Sequence, residues 1–156
     1  MSDSHDRLGA LDKALEVFQE AGVDHLLHGG DIVAPFALKM ILSSGLPLAG
    51  VFGNNDGERK GLKALCAELY EPPHLFEFDG TKILMVHSED QLPDDLGGAA
   101  VVIHGHTHQE SVRTDQDGVV WINPGELCGY LTGRCTAGLL RLPEKSFESV
   151  LLMEDS

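Results

Sequence analysis

Leu48-Ala49-Gly50-Val51-Phe52-Gly53-Asn54-Asn55-Asp56-Gly57 is the stretch that decides the fold. Its first half is a short apolar run, which reads as a buried strand. Its second half switches to glycine, amide and carboxylate, so the strand ends in a polar turn. The same switch occurs upstream, where His25-Leu26-Leu27-His28 runs into Gly29-Gly30-Asp31. Between the two strands Pro35 can open a helix whose apolar residues include Phe36, Leu38, Met40 and Ile41. Before both, Leu8, Leu11, Leu15 and Phe18 recur at helical spacing. They predict an amphipathic helix over about residues 8 to 21, ending at Gly22. Gly61 to Leu69 reads as a third, shorter helix.

Beyond that point the pattern changes to strands alone. Leu75 to Phe78 and Lys82 to Val86 flank Asp79-Gly80, a strong hairpin signal. Ser88 to Gly98 is acidic and reads as loop or one helical turn, and Ala100 to His104 as a strand. Ser111 to Thr114 and Val119 to Ile122 flank Asp115-Gln116-Asp117-Gly118, and Cys135 to Leu142 and Phe147 to Leu152 flank Pro143. Both pairs predict hairpins. Residues 1–156 read as a single α/β domain of two sheets packed face to face, with no internal repeat or linker.

Composition narrows the function. Hydrophobic residues make up 42% of 156, enough for one core. No apolar run reaches the roughly 18 residues of a membrane span, so no membrane association is expected. Met1 to Asp6 lacks the pattern of a secretory signal, and a cytoplasmic location is the expectation. Cys66, Cys128 and Cys135 are scattered and odd in number, as expected of reduced thiols. A net charge of −14 disfavours stable nucleic-acid binding. A homo-oligomer is compatible with all of this.

The polar residues of interest cluster around the strand ends, where α/β sheets build ligand sites. Asp3-Ser4-His5 precedes the first helix, Asp31 and Asn54 follow the two buried strands, His87 follows Lys82 to Val86, and His106-Thr107-His108 follows Ala100 to His104. Asp3, His5, Asp31, Asn54, His87, His106 and His108 can all bind metal. Carboxylate, amide oxygen and imidazole together suit Mn, Fe, Co, Ni or Zn better than Ca or Mg. Asp3 and His5, like His106 and His108, are two apart and would point the same way from an extended backbone. Seven donors are too many for one open site and suit two sites sharing a carboxylate. Taken singly the residues are weaker: Asp3 or Asp31 could be a helix cap or turn residue, Asn54 a left-handed turn, and Asp6 a cap or turn residue near the first helix. His28 and His104 read as hydrogen-bonded core or supporting histidines, His25 and His74 as exposed, and Cys128 as structural.

The ordered set Asp3-x-His5, Gly30-Asp31, Gly53-Asn54, His87 and Gly105-His106-x-His108 resembles the calcineurin-like metallophosphoesterases, and within them a group of small single-domain phosphodiesterases. Gly53 to Arg59 and Asn123 to Gly133 point to the archaeal-type branch of that group. The resemblance runs from Ser2 to about Leu152. It implies a four-layer α-β-β-α sandwich of two mixed β-sheets flanked by helices, the metallo-dependent phosphatase fold. It also implies two divalent ions, manganese first. Asp3, His5, Asp31 and His108 would hold one; Asp31, Asn54, His87 and His106 would hold the other. A hydroxide shared by the ions would attack a small-molecule or nucleotide-like phosphoester in line.

Three departures from the family shape further expectations. Many relatives carry His after the ligand Asn, where it protonates the leaving group. Here that position is Asn55, and an amide cannot act as an acid. Substrates with acidic leaving groups, such as aryl phosphodiesters, should therefore react best, with Asp56 or a metal-bound water as the substitute donor. His87-Ser88-Glu89 replaces a frequent His-Gly-His, and the following segment is shorter and more acidic. Only Met1 and Ser2 precede Asp3, so the first strand is expected to be truncated. Two alternatives to a phosphodiesterase stay open: a non-catalytic protein–protein scaffold of the same fold, as in the retromer subunit, and a phosphomonoesterase.

Overall fold

The computed structural model describes residues 1–154. Helices α1 (Leu8–Ala21), α2 (Pro35–Ser43) and α3 (Arg59–Leu65) alternate with short parallel strands β1 (Leu26–His28), β2 (Leu48–Val51) and β3 (Leu69–Tyr70). The first helix has its expected span and buries Ala10, Leu11, Ala14, Leu15 and Phe18. Gly22 ends it in the left-handed region at φ 65°, donating its N–H to Gln19 while Val23 donates to Phe18. Pro35 is the first residue of α2. The third helix is corrected. It starts at Arg59 and stops at Leu65, and Leu69 lies instead in β3, fully buried and paired with Gly50. At two residues, β3 is too short to show a period in sequence.

The second half is all strand. β4 (His74–Phe78), β5 (Thr81–Met85), β6 (Val101–Ile103), β7 (Ser111–Thr114) and β8 (Val120–Asn123) form one mixed sheet in the order β4-β5-β6-β8-β7. Asp79 at φ 49° and Gly80 at φ 74° make the tight β4–β5 turn, both in the positive region that such a turn needs. β9 (Arg134–Arg141) and β10 (Ser146–Glu154) pair as an antiparallel hairpin. Backbone bonds through Met1–Asp3 and Glu126–Cys128 tie this hairpin to β1. Gly29 donates to Met1 and Asp3 to Gly30, then Leu127 to Ser2, Cys128 to Asp3 and Thr136 to Glu126, all at 2.9–3.0 Å. Met1 to Asp3 thus run beside β1 without forming a full strand. Next to Met1 lies a cavity of about 450 Å³, lined in part by Leu27, Leu139 and Leu140.

The core has three parts. One lies between the helices and the first sheet and includes Leu11, Phe18, Leu38, Ile41 and Leu62. The second lies between the sheets, where Val51, Ile83, Met85, Val101 and Ile122 meet. The third covers the outer face of the five-stranded sheet with Leu92 and Leu96 from the acidic segment, whose only regular structure is a 3-10 turn at Glu89–Gln91. The fourth layer of the expected sandwich is therefore mostly loop. Leu11 is fully buried on the α1 face. Leu11→Ala should lower unfolding free energy by about 2–5 kcal/mol, read as a shifted urea midpoint with unchanged slope.

Candidate metal centre

All seven donors converge at one edge of the sandwich. Asp31 leaves β1, Asn54 leaves β2, His87 follows β5, and His106 and His108 follow β6. Asp31 Oδ2 lies 3.4 Å from both His5 Nε2 and His87 Nε2. On one side of it, His108 Nε2 is 3.4 Å and His5 Nε2 is 3.9 Å from Asp3 Oδ1. On the other side, Asn54 Oδ1 is 3.0 Å from His87 Nε2 and 3.1 Å from His106 Nδ1. The imidazoles pair accordingly: His5 with His108 at 5.3 Å between ring centroids, His87 with His106 at 5.2 Å. Two lobes thus meet at Asp31. His87 Nε2 also lies 3.9 Å from Asp3 Oδ1, so the lobes touch at a second carboxylate.

Glycines let this edge close. A Cβ on Gly53 would sit 2.1 Å from Asp31 Oδ1, and one on Gly105 would sit 2.5 Å from Asp3 Oδ2. The expected pleated backbone at the two-residue pairs is corrected. Asp3, His5, His106 and His108 have φ of 51°, 40°, 66° and 62°, and Asp31 has 60°. These are left-handed turns, which Asp and His tolerate better than most residues but which still cost about 1–2 kcal/mol each. The two-residue rhythm survives in the hydrogen bonds, since Asp3 N–H donates to Gly30 and His5 N–H to Asp31.

The donor chemistry fits cations. His87 Nδ1 is 2.8 Å from the Gly29 carbonyl, which can only accept, so Nδ1 carries a proton. His108 Nδ1 is likewise committed to Glu126 Oε2 at 2.5 Å. Both Nε2 atoms then aim lone pairs at oxygens, an arrangement that needs a proton or a metal ion between them. Burial lowers the His87 pKa, but the Asp31 and Asp3 carboxylates outweigh it and hold it above the ordinary value. Burial would raise the Asp31 carboxyl; contacts with His87 and Asn55 instead hold it well below the usual range. Asp3 Oδ1 and His5 Nε2 are buried with no hydrogen-bond partner among the described residues. Leaving such atoms unpaired costs about 1–3 kcal/mol apiece, which coordination would offset.

Several readings of neighbouring residues change. Asp56 was expected as a substitute proton donor, but it is buried and its carboxylate is fully engaged. Oδ2 accepts the N–H groups of Asp31 and Gly53, and Oδ1 accepts that of Val33. Burial raises its pKa against the pull of those three bonds. Asn55 clasps Asp31, donating its backbone N–H to Oδ1 and its amide to Oδ2, each at 2.8 Å. Asp6 is a turn residue before α1 rather than its cap, and it accepts the Ala34 N–H at the start of α2. His74 is half-buried and stacked on Tyr70 rather than exposed.

His28 and His104 are buried and hydrogen-bonded, as expected. Burial keeps both imidazoles below their ordinary pKa. Asn123 braces the β6 turn, donating to Gly105 and Thr107. Burial pushes the Cys128 thiol up to about 12, which leaves it inert. One residue escaped sequence reading altogether. Glu126 is fully buried behind His108. Burial would raise its carboxyl, but donors from Thr132, His108 and Cys128 draw it down to about 2. Only its place in Asn123-Pro124-Gly125-Glu126 hinted at a role.

This fold and this ordered donor set define a metallophosphoesterase-type protein. The sequence profile of the calcineurin-like phosphoesterase superfamily domain matches residues 1–145, and the chain belongs to that superfamily. It is 37% identical over 161 residues to phosphodiesterase MJ0936 of Methanocaldococcus jannaschii, covering 97% of this chain and 96% of that protein. A solved archaeal phosphodiesterase superposes with a TM-score of 0.84 at 35% identity, over 97% of each chain. Vps29 of Chaetomium thermophilum superposes at 0.70 with 13% identity, over 99% of this chain and 96% of its own, a likeness of fold alone. No helix among the described residues is long and apolar enough to cross a membrane.

Proposed function

We propose that this chain is a metal-dependent phosphodiesterase acting on small or nucleotide-like phosphodiesters. Two divalent ions, manganese first and nickel, iron, cobalt or zinc as alternatives, would be shared through Asp31. Asp3, His5 and His108 would complete one lobe; Asn54, His87 and His106 would complete the other. The observation that carries this reading is the pair His87 and His108, each tethered through Nδ1 to an acceptor and each turning Nε2 toward a carboxylate. The phosphodiesterase relative supports the ester class. Divalent ions in such a site lower the pKa of coordinated water and offset charge on the phosphoryl oxygens.

The residues around the donors set the rest of the chemistry. Asn55 keeps Asp31 oriented with its backbone N–H and one amide N–H, and as an amide it has no acidic proton to give a leaving group. Asp56 is committed to backbone. With neither Asn55 nor Asp56 able to act as the acid, only a metal-bound water is left to protonate the departing oxygen, and rate should follow leaving-group acidity. The test is metal analysis combined with hydrolysis of bis-p-nitrophenyl phosphate and of diesters with progressively less acidic leaving groups, with added Mn. Turnover should fall steeply along that series. Equal rates for alkyl monoesters and aryl diesters would overturn the leaving-group argument. Bound metal without turnover of any ester would favour the scaffold reading.

A further inference from the structure

Glu126 lies between β8 and β9, in a segment that touches the His5–His108 lobe twice. Its backbone neighbours pin the Asp3 stretch, since Leu127 N–H donates to Ser2 and Cys128 N–H to Asp3. Its carboxylate holds the imidazole opposite. Oε2 takes the His108 Nδ1–H at 2.5 Å and the Cys128 thiol at 3.2 Å. Oε1 takes the Leu131 N–H at 3.0 Å, the Thr132 N–H at 2.5 Å and the Thr132 hydroxyl at 2.7 Å. With both oxygens filled by donors, Glu126 has no lone pair left to serve as a ligand itself.

A neutral imidazole has one N–H and one lone pair, and the partner of one nitrogen decides the state of the other. A fully buried carboxylate against Nδ1 fixes a proton there, so that Nε2, 3.4 Å from Asp3 Oδ1, is the nitrogen that can offer a lone pair to an ion. The same oxygens fix the Gly129–Gly133 turn, whose Tyr130 ring faces His5 at 6.5 Å between centroids. One side chain thereby orders two walls of a single lobe, and the backbone beside it pins the third.

We propose that Glu126 is a positioning residue that locks His108 in its Nδ1–H tautomer and so sets the affinity of the Asp3–His5–His108 lobe for its ion. The proposal rests on the metal reading above only for its second half, because the tautomer is a property of the metal-free protein. Carboxylate–histidine pairs of this kind typically change metal affinity about 10- to 100-fold when broken.

The experiment has two arms. Long-range proton–nitrogen NMR on the metal-free wild type should show a proton on His108 Nδ1; a bare Nδ1 overturns the proposal without any variant being needed. In Glu126→Gln, titration with Mn should weaken one of two binding steps about 10- to 100-fold, the other staying within about twofold. The His108 nitrogen shifts should move toward a tautomer mixture in the same variant. A folded Glu126→Gln with unchanged nitrogen shifts and both steps intact also overturns it. A wild type with the Nδ1–H form and no Mn binding at all overturns the affinity claim and the proposed function together, and leaves the tautomer lock standing.

Discussion

Asp31→Asn should reduce bound metal from about two ions per chain to one or fewer, and should cut phosphodiester turnover by roughly 100- to 1,000-fold or more, the scale of losing one fixed electrostatic contact to a transition state. Asp31 stands between the two lobes, with Oδ2 equidistant at 3.4 Å from His5 Nε2 and His87 Nε2. An amide keeps the shape but not the charge, so neither lobe retains a full complement of anionic donors. The swap should cost the metal-free fold only about 1–3 kcal/mol, because an amide NH2 replaces one of the two oxygens that accept from Asn55. Asp31 contributes no hydrophobic burial, and its backbone N–H stays on Asp56. Loss of function with a urea midpoint lowered by no more than about 1–3 kcal/mol is thus the expected pair of results, read by metal analysis and denaturation on the same preparation. Metal content and turnover both within about tenfold of the parent would remove Asp31 from its shared position.

Five of the seven donors are legible in sequence because each follows an apolar strand at its carboxyl end, whereas Asp3 and His5 follow only Met1 and Ser2. Asp31 after Leu26–His28 and Asn54 after Leu48–Val51 are marked by the abrupt change from leucine and valine to glycine and a polar side chain. What sequence could not supply is conformation. Asp3, His5, His106 and His108 reach the site through left-handed backbone, which no period reveals because the surrounding tertiary contacts impose it. Glu126 was invisible for a related reason. Its partners Thr132 and His108 lie 6 and 18 residues away, on opposite sides of the chain. Asp56 misled because its neighbours are site residues, while its carboxylate turns inward to backbone.

That inward carboxylate carries the second large effect. Asp56→Ala should destabilise the protein by about 3–5 kcal/mol, since three hydrogen bonds to a charged acceptor, at about 1.5–3 kcal/mol each, are lost together while the cost of burying that charge is relieved. They join the turn after β1 to the turn after β2, holding the N–H groups of Asp31 and Val33 against that of Gly53. Val33 sits at φ 84°, a strained value for a β-branched residue, and its bond to Asp56 Oδ1 at 2.7 Å helps keep it there. Without that bond the first turn can relax and carry Asp31 away from Asn54. Metal affinity should then fall although no proposed ligand has changed. Added Mn should recover part of the lost stability, because a ligand that binds only the folded state shifts the equilibrium toward it. Urea denaturation of Asp56→Ala with and without Mn measures both effects. A midpoint within about 1 kcal/mol of the parent, together with undiminished Mn binding, would mean that the two turns hold their shape without it. Asp31 and Asp56 thus make different predictions from neighbouring carboxylates: the first should disable the site at a small cost to the fold, the second should loosen the fold and disable the site as a consequence.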